Sequence, residues 1–227
     1  MTTRVAFFDL DSTVLSINSA TPWIRRELRL GHIRWTTAVW AGATVLLYKL
    51  GLGKMEDTLL EVIASLRGQP EEPIRQRTQD FWREIAHLVR PGARAAIAHH
   101  RAQGHHVWLL TSSSTYLSEA VVAELGLDGT LCNRFEVRDG LFTGQPDGPL
   151  CFGAGKITHA AALADRLGVS LQDCVFYTDS VTDLPALEAM GEPVAVHPDV
   201  RLKRIALRRG WRVERWDDRA IRGSIPA

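Results

Sequence analysis

The sequence predicts an α/β fold in which a doubly wound parallel sheet forms the core and a helical segment is inserted after the first strand. Short apolar runs typical of buried strands recur along the chain, separated by stretches with helical periodicity. This alternation implies a parallel sheet with helices on both faces. From about residue 16 to residue 89 the periodicity is helical and strand signals are few, which indicates an all-helical insertion.

The core elements follow one another in a regular order. The first strand, Val5 to Phe8, is an apolar run that ends at Asp9. The later core strands are predicted at 106–110, 175–177, 193–196 and 211–213, and a hairpin at 135–137 and 141–143 is predicted around Asp139-Gly140. Helices are predicted at 91–103, 116–125, 156–167, 184–190 and 198–209. Residues 111–114 are predicted as a polar turn after the second strand.

The insertion is divided by glycine-containing breaks at Gly31, 51–53 and 68–70, which predict three or four helices. The resulting division gives a core of residues 1–15 and 90–216 and a helical cap of residues 16–89. Residues 217–227 are polar, and we expect a flexible tail.

The net charge, the cysteines and the apolar runs of the chain narrow its possible partners and location. A net charge of +1 over 227 residues gives no reason to expect a nucleic-acid partner. Cys132, Cys151 and Cys174 form neither a disulfide framework nor a zinc pattern, which favours a reducing compartment. The N-terminal segment turns acidic at Asp9, directly after a short apolar run, so it is not a secretory signal, and we expect a cytoplasmic protein. The longest uncharged run, Trp35 to Tyr48, is shorter than the roughly 20 residues of a spanning helix. We expect a buried helix there, with a membrane-surface role as the alternative.

Polar residues of the kinds that bind divalent cations and phosphate follow three of the predicted strands. In open parallel sheets, ligands bind beyond the carboxyl ends of the strands. Carboxylates hold hard divalent cations, and a cation together with lysine neutralises phosphate charge. The residues in question are Asp9 and Asp11, Thr111 and Ser112, and Asp179 and Asp183, with Lys156 at a predicted helix start.

Four motifs in this order resemble the haloacid-dehalogenase superfamily, in its phosphoserine-phosphatase-like branch with a Rossmann-like core. Phe7-Phe8-Asp9-Leu10-Asp11-Ser12-Thr13-Val14 is similar to the first motif, DxDxT, and Leu109-Leu110-Thr111-Ser112 to the second. Gly155-Lys156 fits the third motif, and Tyr177-Thr178-Asp179-Ser180-Val181-Thr182-Asp183-Leu184-Pro185 the fourth. The resemblance covers the core, whereas the inserted segment carries no distinctive motif.

The resemblance implies a role for each motif residue. Asp9 would be the nucleophile and a ligand of Mg²⁺, and Asp11, expected on the same side of an extended strand, the acid and base. The backbone carbonyl of Asp11 and the carboxylate of Asp179 would complete the protein ligands of the metal. Lys156 and either Thr111 or Ser112 would bind phosphate. Thr111 is favoured because it directly follows the apolar run, and Asp183 would orient the ligands from nearby.

The resemblance therefore implies a Mg²⁺-dependent phosphomonoesterase that acts on a small phosphorylated metabolite. Phosphoserine phosphatases carry a glutamate and an arginine in the cap for the substrate's amine and carboxylate; the matching places here hold Asn18 and Val62. We therefore expect no strong preference for phosphoserine. The alternatives are a lipid- or lysophospholipid-phosphate phosphatase at a membrane surface, and a phosphate-binding module without turnover. The sequence leaves the oligomeric state open.

Other conspicuous residues have ordinary structural explanations. The histidine pairs at 99–100 and 105–106 lack the spacing of metal ligands and are expected to be structural or surface residues. The tryptophans of the insertion are expected in its core; they are Trp23, Trp35, Trp40 and Trp82. The arginines at 25, 26, 29, 208 and 209 are expected on solvated helix faces.

Overall fold

A six-stranded, wholly parallel sheet lies at the centre of the computed structural model, which describes residues 4–33, 35–36 and 55–217. Its strands are β1 (Val5–Phe8), β2 (His106–Ser114), β3 (Gly129–Asn133), β6 (Cys174–Thr178), β7 (Glu192–Val196) and β8 (Arg212–Glu214). Across the sheet these strands have the order β3-β2-β1-β6-β7-β8. Strands β4 (Phe135–Arg138) and β5 (Leu141–Pro146) form a separate antiparallel hairpin.

Helices cover both faces of the sheet, which confirms the predicted fold class. In β1, Ala6 and Phe8 point into one apolar cluster, whereas Val5 and Phe7 point into the other. Helices α4 (Pro91–Ala102) and α5 (Thr115–Leu125) pack on the first face. Helices α6 (Gly155–Leu167), α7 (Leu184–Ala189) and α8 (Val200–Arg209) pack on the second. Because neither face of β1 meets water, all four of its residues are apolar and buried.

Between β1 and α4 the chain forms the inserted helices α1 (Ala20–Arg29), α2 (Met55–Ser65) and α3 (Glu71–Ile85). The chain leaves the core and returns to it at one place, where Leu15 and Val89 form an antiparallel bridge. The amide of Arg90 donates to the carbonyl of Val14 at 2.9 Å, and that of Ser16 to the carbonyl of Leu88 at 3.0 Å. Two backbone connections therefore join the insertion to the core side by side.

The turn before α3 also pairs with the β4–β5 hairpin. The amide of Gly68 donates to Phe142 O at 2.8 Å, and that of Glu71 donates to Gly140 O at 2.9 Å. Ile74 packs with Tyr116 and Phe142 in a third apolar cluster. The hairpin thus connects the insertion to the core at a second position.

Strand β3 was not predicted from the sequence, and β2 is longer than predicted. Residues 111–114, expected as a turn, belong to β2, and Ser114 pairs with Asn133 of β3. Strand β3 contains few apolar residues and lies at the sheet edge, so it lacks the pattern of a buried strand. Gly129 is needed there, because a β-carbon at this position would lie 2.5 Å from the Trp108 ring.

The tryptophans of the insertion, all expected in its core, are only partly found there. Trp23 packs edge to face on Phe81, and Trp82 is buried, as expected. Trp35, by contrast, is 68% exposed, so its placement in a core was wrong. Trp40 and most of the run from Trp35 to Tyr48 lie outside the described residues, as does the tail after Asp217. None of the described helices combines the length and the apolar character that a membrane-spanning helix requires.

Candidate active site

The motif residues gather where the strand order reverses. From β1, strands β2 and β3 follow in order toward one edge of the sheet, and β6, β7 and β8 follow in order toward the other edge. The crevice at the carboxyl end of β1 is therefore flanked by β2 and β6. Phe8 is in register with Leu109 and with Tyr177. Asp9, the next residue, therefore lies beside Leu110 of β2 and Thr178 of β6, the residues that precede Thr111 and Asp179.

The centre of the site is a buried lysine held between two carboxylates. Lys156 is 2% exposed, and its Nζ lies 2.9 Å from Asp9 Oδ1 and 2.7 Å from Asp183 Oδ2. Asp9 and Asp183 are buried as well. Buried charges of this kind persist in folded proteins when they are paired and hydrogen-bonded, as these three are.

Helix α6 brings Lys156 to this position. Lys156 is the second residue of α6, and the helix start packs so closely on the preceding loop that a β-carbon on Gly155 would lie 2.1 Å from the Leu150 carbonyl oxygen. Only glycine allows this approach. The lysine side chain crosses the Phe176 ring of β6, with Nζ 5.3 Å from the ring centroid, before it meets the two carboxylates.

The electrostatics of the site favour the binding of a cation. Burial raises the pKa of Asp9 to about 7, against the lowering effect of Lys156 and with a further increase from the charge of Asp183. Burial, together with the charges of Asp9 and Asp183, raises the pKa of Asp179 to about 8. The lysine is itself held protonated: burial lowers its pKa, but Asp183 and Asp9 outweigh this effect and raise it. A second cation near Asp9 and Asp179 would stabilise their ionised forms.

Asp11 occupies a turn rather than the strand. Strand β1 ends at Phe8, and the next residues form a wide turn closed by hydrogen bonds from Val14 N to Asp9 O and from Leu15 N to Leu10 O. Strand alternation therefore does not explain where Asp11 points, and that reasoning was wrong. Asp11 Oδ1 instead accepts a hydrogen bond of 2.8 Å from the amide of Ser19, just before helix α1 of the insertion.

Burial raises the pKa of Asp11, and the hydrogen bonds from Ser19 oppose this increase. The side chain is thus linked to the first inserted helix, whereas Asp9 is linked to the core. The turn also requires an unusual backbone at Ser12, whose φ is +59°. Serine adopts this left-handed conformation at a cost, and such conformations are frequent at functional sites.

Three residues outside the predicted set contact the acidic side chains. Thr13 is fully buried and donates to Asp179 Oδ1 at 3.3 Å. Thr178, also fully buried, donates to Asp183 Oδ2 at 2.6 Å. Ser19 contributes its backbone amide to Asp11. Thr13 and Thr178 stood within the quoted motifs, but nothing in the sequence indicated which acid each would bind.

The two phosphate-binding candidates lie on β2 with different surroundings. Thr111 is buried, and its Oγ1 accepts a hydrogen bond of 3.2 Å from the amide of Ser113. Ser112 is half-buried, and its carbonyl oxygen accepts from Asn133 Nδ2 at 2.6 Å. In the described structure neither hydroxyl is hydrogen-bonded to Asp9. The assignment of Thr111 and Ser112 to phosphate binding stays a prediction.

The two specificity candidates of the insertion are exposed. Asn18 Oδ1 accepts from the amide of Ala20 at 3.2 Å, beside the Ser19 amide that binds Asp11. Val62 is 40% exposed on α2. Neither forms a side-chain hydrogen bond with the buried acids among the described residues.

A buried acid on α1 is already occupied by basic residues. Glu27 Oε2 lies 2.9 Å from Arg77 Nε and 3.3 Å from His32 Nδ1, and Oε1 lies 3.2 Å from Arg26 Nη1. Arg26 also pairs with Glu84, so it is not the solvated arginine that was expected. This cluster joins α1 to α3 within the insertion.

The histidine pairs lie away from this edge of the sheet. His100 is buried, and its Nε2 shares a hydrogen bond of 2.9 Å with the Tyr177 hydroxyl. Its Nδ1 lies 2.9 Å from His105 Nδ1. Burial and the neighbouring histidines lower the pKa of His100 to about 3, so the ring is neutral and structural.

The donor set at the site suits a hard cation that keeps water in its coordination shell. Among the described residues, no group of three or more His, Cys, Asp or Glu side chains is spaced to hold a metal ion. The charge of Asp9 nevertheless contributes to the raised pKa of Asp179, so these two carboxylates lie near each other. Mg²⁺ is commonly bound by one or two carboxylates with water and substrate phosphate as the remaining ligands, so the residues present fit this ion.

The chain is similar to known hydrolases over most of its length. The family model described as haloacid dehalogenase-like hydrolase matches residues 6–188. A phosphoserine phosphatase of Mycobacterium tuberculosis is 30% identical over 232 residues, covering 99% of this chain and 75% of that protein. A histidinol-phosphatase of Neisseria meningitidis is 28% identical over 216 residues, covering 92% of this chain and 97% of that protein.

Solved structures share the fold. A protein from Bordetella pertussis, described as of unknown function, superposes with a TM-score of 0.85 at 27% identity, covering 94% of this chain and 98% of that one. A substrate-bound phosphoserine phosphatase superposes with a TM-score of 0.72 at 22% identity, covering 97% of each chain. At that identity the second likeness concerns the fold alone.

Proposed function

Because this chain belongs to the haloacid dehalogenase-like hydrolase family, we propose that it is a Mg²⁺-dependent phosphomonoesterase that forms an aspartyl-phosphate on Asp9. The observation that carries the proposal is the pairing of Asp9 with a buried lysine. Lys156 Nζ contacts Asp9 Oδ1 at 2.9 Å. The other oxygen, Oδ2, accepts no hydrogen bond from the described residues and is the candidate attacking atom.

In the first step, a carboxylate oxygen of Asp9 attacks phosphorus while the bond from phosphorus to the ester oxygen breaks. Asp11 donates its proton to the leaving oxygen, so that the product departs as an alcohol. The raised pKa of Asp11 supports this role, because the side chain retains a proton closer to neutral pH than an ordinary aspartate does. Lys156 offsets the charge that develops around the nucleophile and the transferred phosphoryl group.

In the second step, Asp11, now ionised, takes a proton from water, and the resulting hydroxide attacks the phosphorus of the aspartyl-phosphate. The bond from Asp9 to phosphorus breaks, which releases inorganic phosphate and restores both carboxyl groups. Thr111 or Ser112, with the backbone amides that follow them, would hold the phosphate oxygens in both steps. Asp183 acts through Lys156, to which it is bound at 2.7 Å.

Asp9, Asp179 and the backbone carbonyl of Asp11 would hold the metal ion. When bound, Mg²⁺ supplies positive charge to the phosphoryl oxygens and to the two carboxylates. Thr13 would steady Asp179 through the hydrogen bond to its Oδ1. This protein environment is consistent with oxygen ligands alone, since no cysteine or histidine stands at a motif position.

The proposed substrate is a small phosphorylated metabolite. Two similar proteins are named for amino-acid-related phosphomonoesters, phosphoserine and histidinol phosphate. Asn18 is neutral and Val62 is apolar, so the recognition of both an ammonium and a carboxylate that phosphoserine requires is not supplied at these positions. The lipid-phosphate alternative depends on the run from Trp35 to Tyr48, most of which lies outside the described residues.

The test is hydrolysis of a chromogenic aryl phosphate by the wild type and by Asp9→Asn. We expect the variant to lose at least about 10³-fold in kcat, because it lacks both the nucleophile and a metal charge. Acid-quenched wild type should carry one phosphoryl group on the peptide that contains Asp9, and the variant should carry none.

The matched control is Asp139→Asn. Asp139 is exposed in the β4–β5 turn with φ at +51°, a conformation that asparagine also tolerates. The control should keep wild-type activity. Comparable turnover by a folded Asp9→Asn variant would rule out the mechanism, and an inactive wild type would favour a phosphate-binding module instead.

A further inference from the structure

We infer that Thr178 is a positioning residue for the proposed phosphoryl transfer, acting through Asp183 to hold Lys156 against the nucleophile. The inference rests on the proposed function, but its structural part can be tested without activity. Thr178 is the last residue of β6 and lies beside Asp9 in the sheet register. Its side chain has no contact with the reacting atoms in the described structure.

The contacts form an unbroken buried chain from Thr178 to the nucleophile. Thr178 Oγ1 donates to Asp183 Oδ2 at 2.6 Å. The same oxygen accepts from Lys156 Nζ at 2.7 Å, and this ammonium reaches Asp9 Oδ1 at 2.9 Å. All four residues are buried, so water does not compete for these hydrogen bonds.

Thr178 is the only stiff donor in this chain of contacts. Lysine has a long, flexible stem with three equivalent donors, so its ammonium takes the position that its acceptors define. Asp183 is held by two donors on one oxygen, and one of these donors is that same flexible lysine. Threonine is β-branched and restricted at χ1, and here it stands at the end of a central strand. Through its hydrogen bond, the Thr178 hydroxyl therefore fixes the position of the Asp183 carboxylate, and this carboxylate in turn fixes the position of the Lys156 ammonium.

A second contact of the same hydroxyl suggests a competing, purely structural role. The amide of Ser180 donates to Thr178 Oγ1 at 3.3 Å, which closes the turn that carries Asp179. This bond is long and would survive any substitution that keeps an acceptor. If turn closure were the whole role, removal of the hydroxyl would act independently of Asp183.

The experiment is a double-mutant cycle of Thr178→Val and Asp183→Asn, with Thr178→Ser as the conservative variant. Valine keeps the shape and removes the hydroxyl. We expect Thr178→Val to lower kcat about 10- to 100-fold for an aryl phosphate at saturating Mg²⁺, as for the loss of a hydrogen bond to a charged group. KM should change less than about threefold, and Thr178→Ser should recover most of kcat. In the Asp183→Asn background, Thr178→Val should have little further effect.

The control for a lost buried hydroxyl is Thr78→Val. Thr78 is buried in α3, and its Oγ1 donates to the carbonyl of Ile74 in the same helix at 2.8 Å. This variant should leave kcat unchanged. A Thr178→Val enzyme with wild-type kcat, a failure of serine to recover it, or additive effects of Thr178→Val and Asp183→Asn would overturn the inference.

Urea unfolding of the wild type, the two single variants Thr178→Val and Asp183→Asn, and the double variant gives a readout that does not depend on turnover. Thr178→Val and Asp183→Asn should be coupled, so that the double variant loses less stability than the two single losses combined. Additive stability losses would overturn the contact itself. If the wild type proves inactive while the unfolding cycle shows coupling, the proposed function fails and the contact between Thr178 and Asp183 stands.

Discussion

Replacing Lys156 by methionine tests the charge arrangement of the site most directly. Methionine has a similar length and occupies the same buried path past Phe176, so the change removes the ammonium with little change in volume. Two carboxylates, those of Asp9 and Asp183, would then lose their cation. The effect should be visible both in turnover and in the pH dependence of stability.

The loss of stability follows from the burial of the three groups. Removing one partner of a buried ion pair costs roughly 3–5 kcal/mol when the other charge stays buried. Asp9 can reduce this cost by taking up a proton, because its pKa is already raised to about 7 with the lysine in place. A carboxyl whose pKa is raised by folding lowers stability as pH increases from about 4 to its folded pKa. Without Lys156, which lowers the pKa of Asp9, this window extends to higher pH.

Metal-free Lys156→Met should therefore lose about 3–5 kcal/mol relative to wild type at pH 8 and clearly less at pH 5.5. Its kcat should fall about 10²- to 10³-fold, as expected for the loss of one preorganised charged donor. Urea unfolding at the two pH values in EDTA measures the first effect, and hydrolysis of an aryl phosphate measures the second.

Lys203→Met is the matched control, because Lys203 is exposed on α8 and forms no ion pair with a described residue. Its stability should stay within about 0.5 kcal/mol of wild type. Equal losses for Lys156→Met at both pH values, or kcat within threefold of wild type, would refute the argument that Lys156 sets the ionisation of Asp9.

Two further predictions concern the metal and the substrate. EDTA should abolish activity and Mg²⁺ should restore it, and Mg²⁺ affinity should weaken as pH falls from 8 to 6, because Asp9 and Asp179, with pKa values raised to about 7 and about 8, must release protons to bind the cation. Calorimetry in two buffers of different ionisation enthalpy should detect this release; rescue by zinc alone, or affinity that is constant with pH, would contradict it. In a kcat/KM series over phosphoserine, phosphothreonine, glycerol phosphate, sugar phosphates and a soluble lysophosphatidate, phosphoserine should rank no higher than the others. Asn18→Glu should raise its rank roughly tenfold or more, whereas a wild-type preference above about a hundredfold would mean that another cap residue supplies the charges.

The sequence was sufficient for five of the six sheet strands and for the order of the motifs, because both depend on local patterns. Buried parallel strands read as apolar runs, and Asp9, Thr111 and Asp179 each follow one of them. The edge strand β3 escaped because an edge strand needs few apolar residues. Its pairing depends on Trp108 and Gly129, which are far apart in the sequence and in contact across the sheet.

The contacts between side chains could not be predicted in the same way. The pairing of Lys156 with both Asp9 and Asp183 follows from the start of α6 close to Leu150, a feature of the fold rather than of the motif. The position of Asp11 was assigned from strand alternation, but the chain turns directly after Phe8. Its partner, the amide of Ser19, belongs to the backbone and has no signature in sequence.

The balance of charge in the site indicates the order in which ligands bind on the proposed mechanism. Four carboxyl groups converge at this edge, at Asp9, Asp11, Asp179 and Asp183, and within the described residues Lys156 is the one cation in hydrogen-bond contact with them. A phosphate dianion that approached this set alone would meet net negative charge in a poorly solvated environment, where repulsion is strong. Protonation of Asp9 and Asp179 would relieve the repulsion but would also remove the nucleophile. A divalent cation held by Asp9 and Asp179 would relieve the repulsion while Asp9 stays ionised, so on the proposed mechanism we expect the metal to bind before the phosphate.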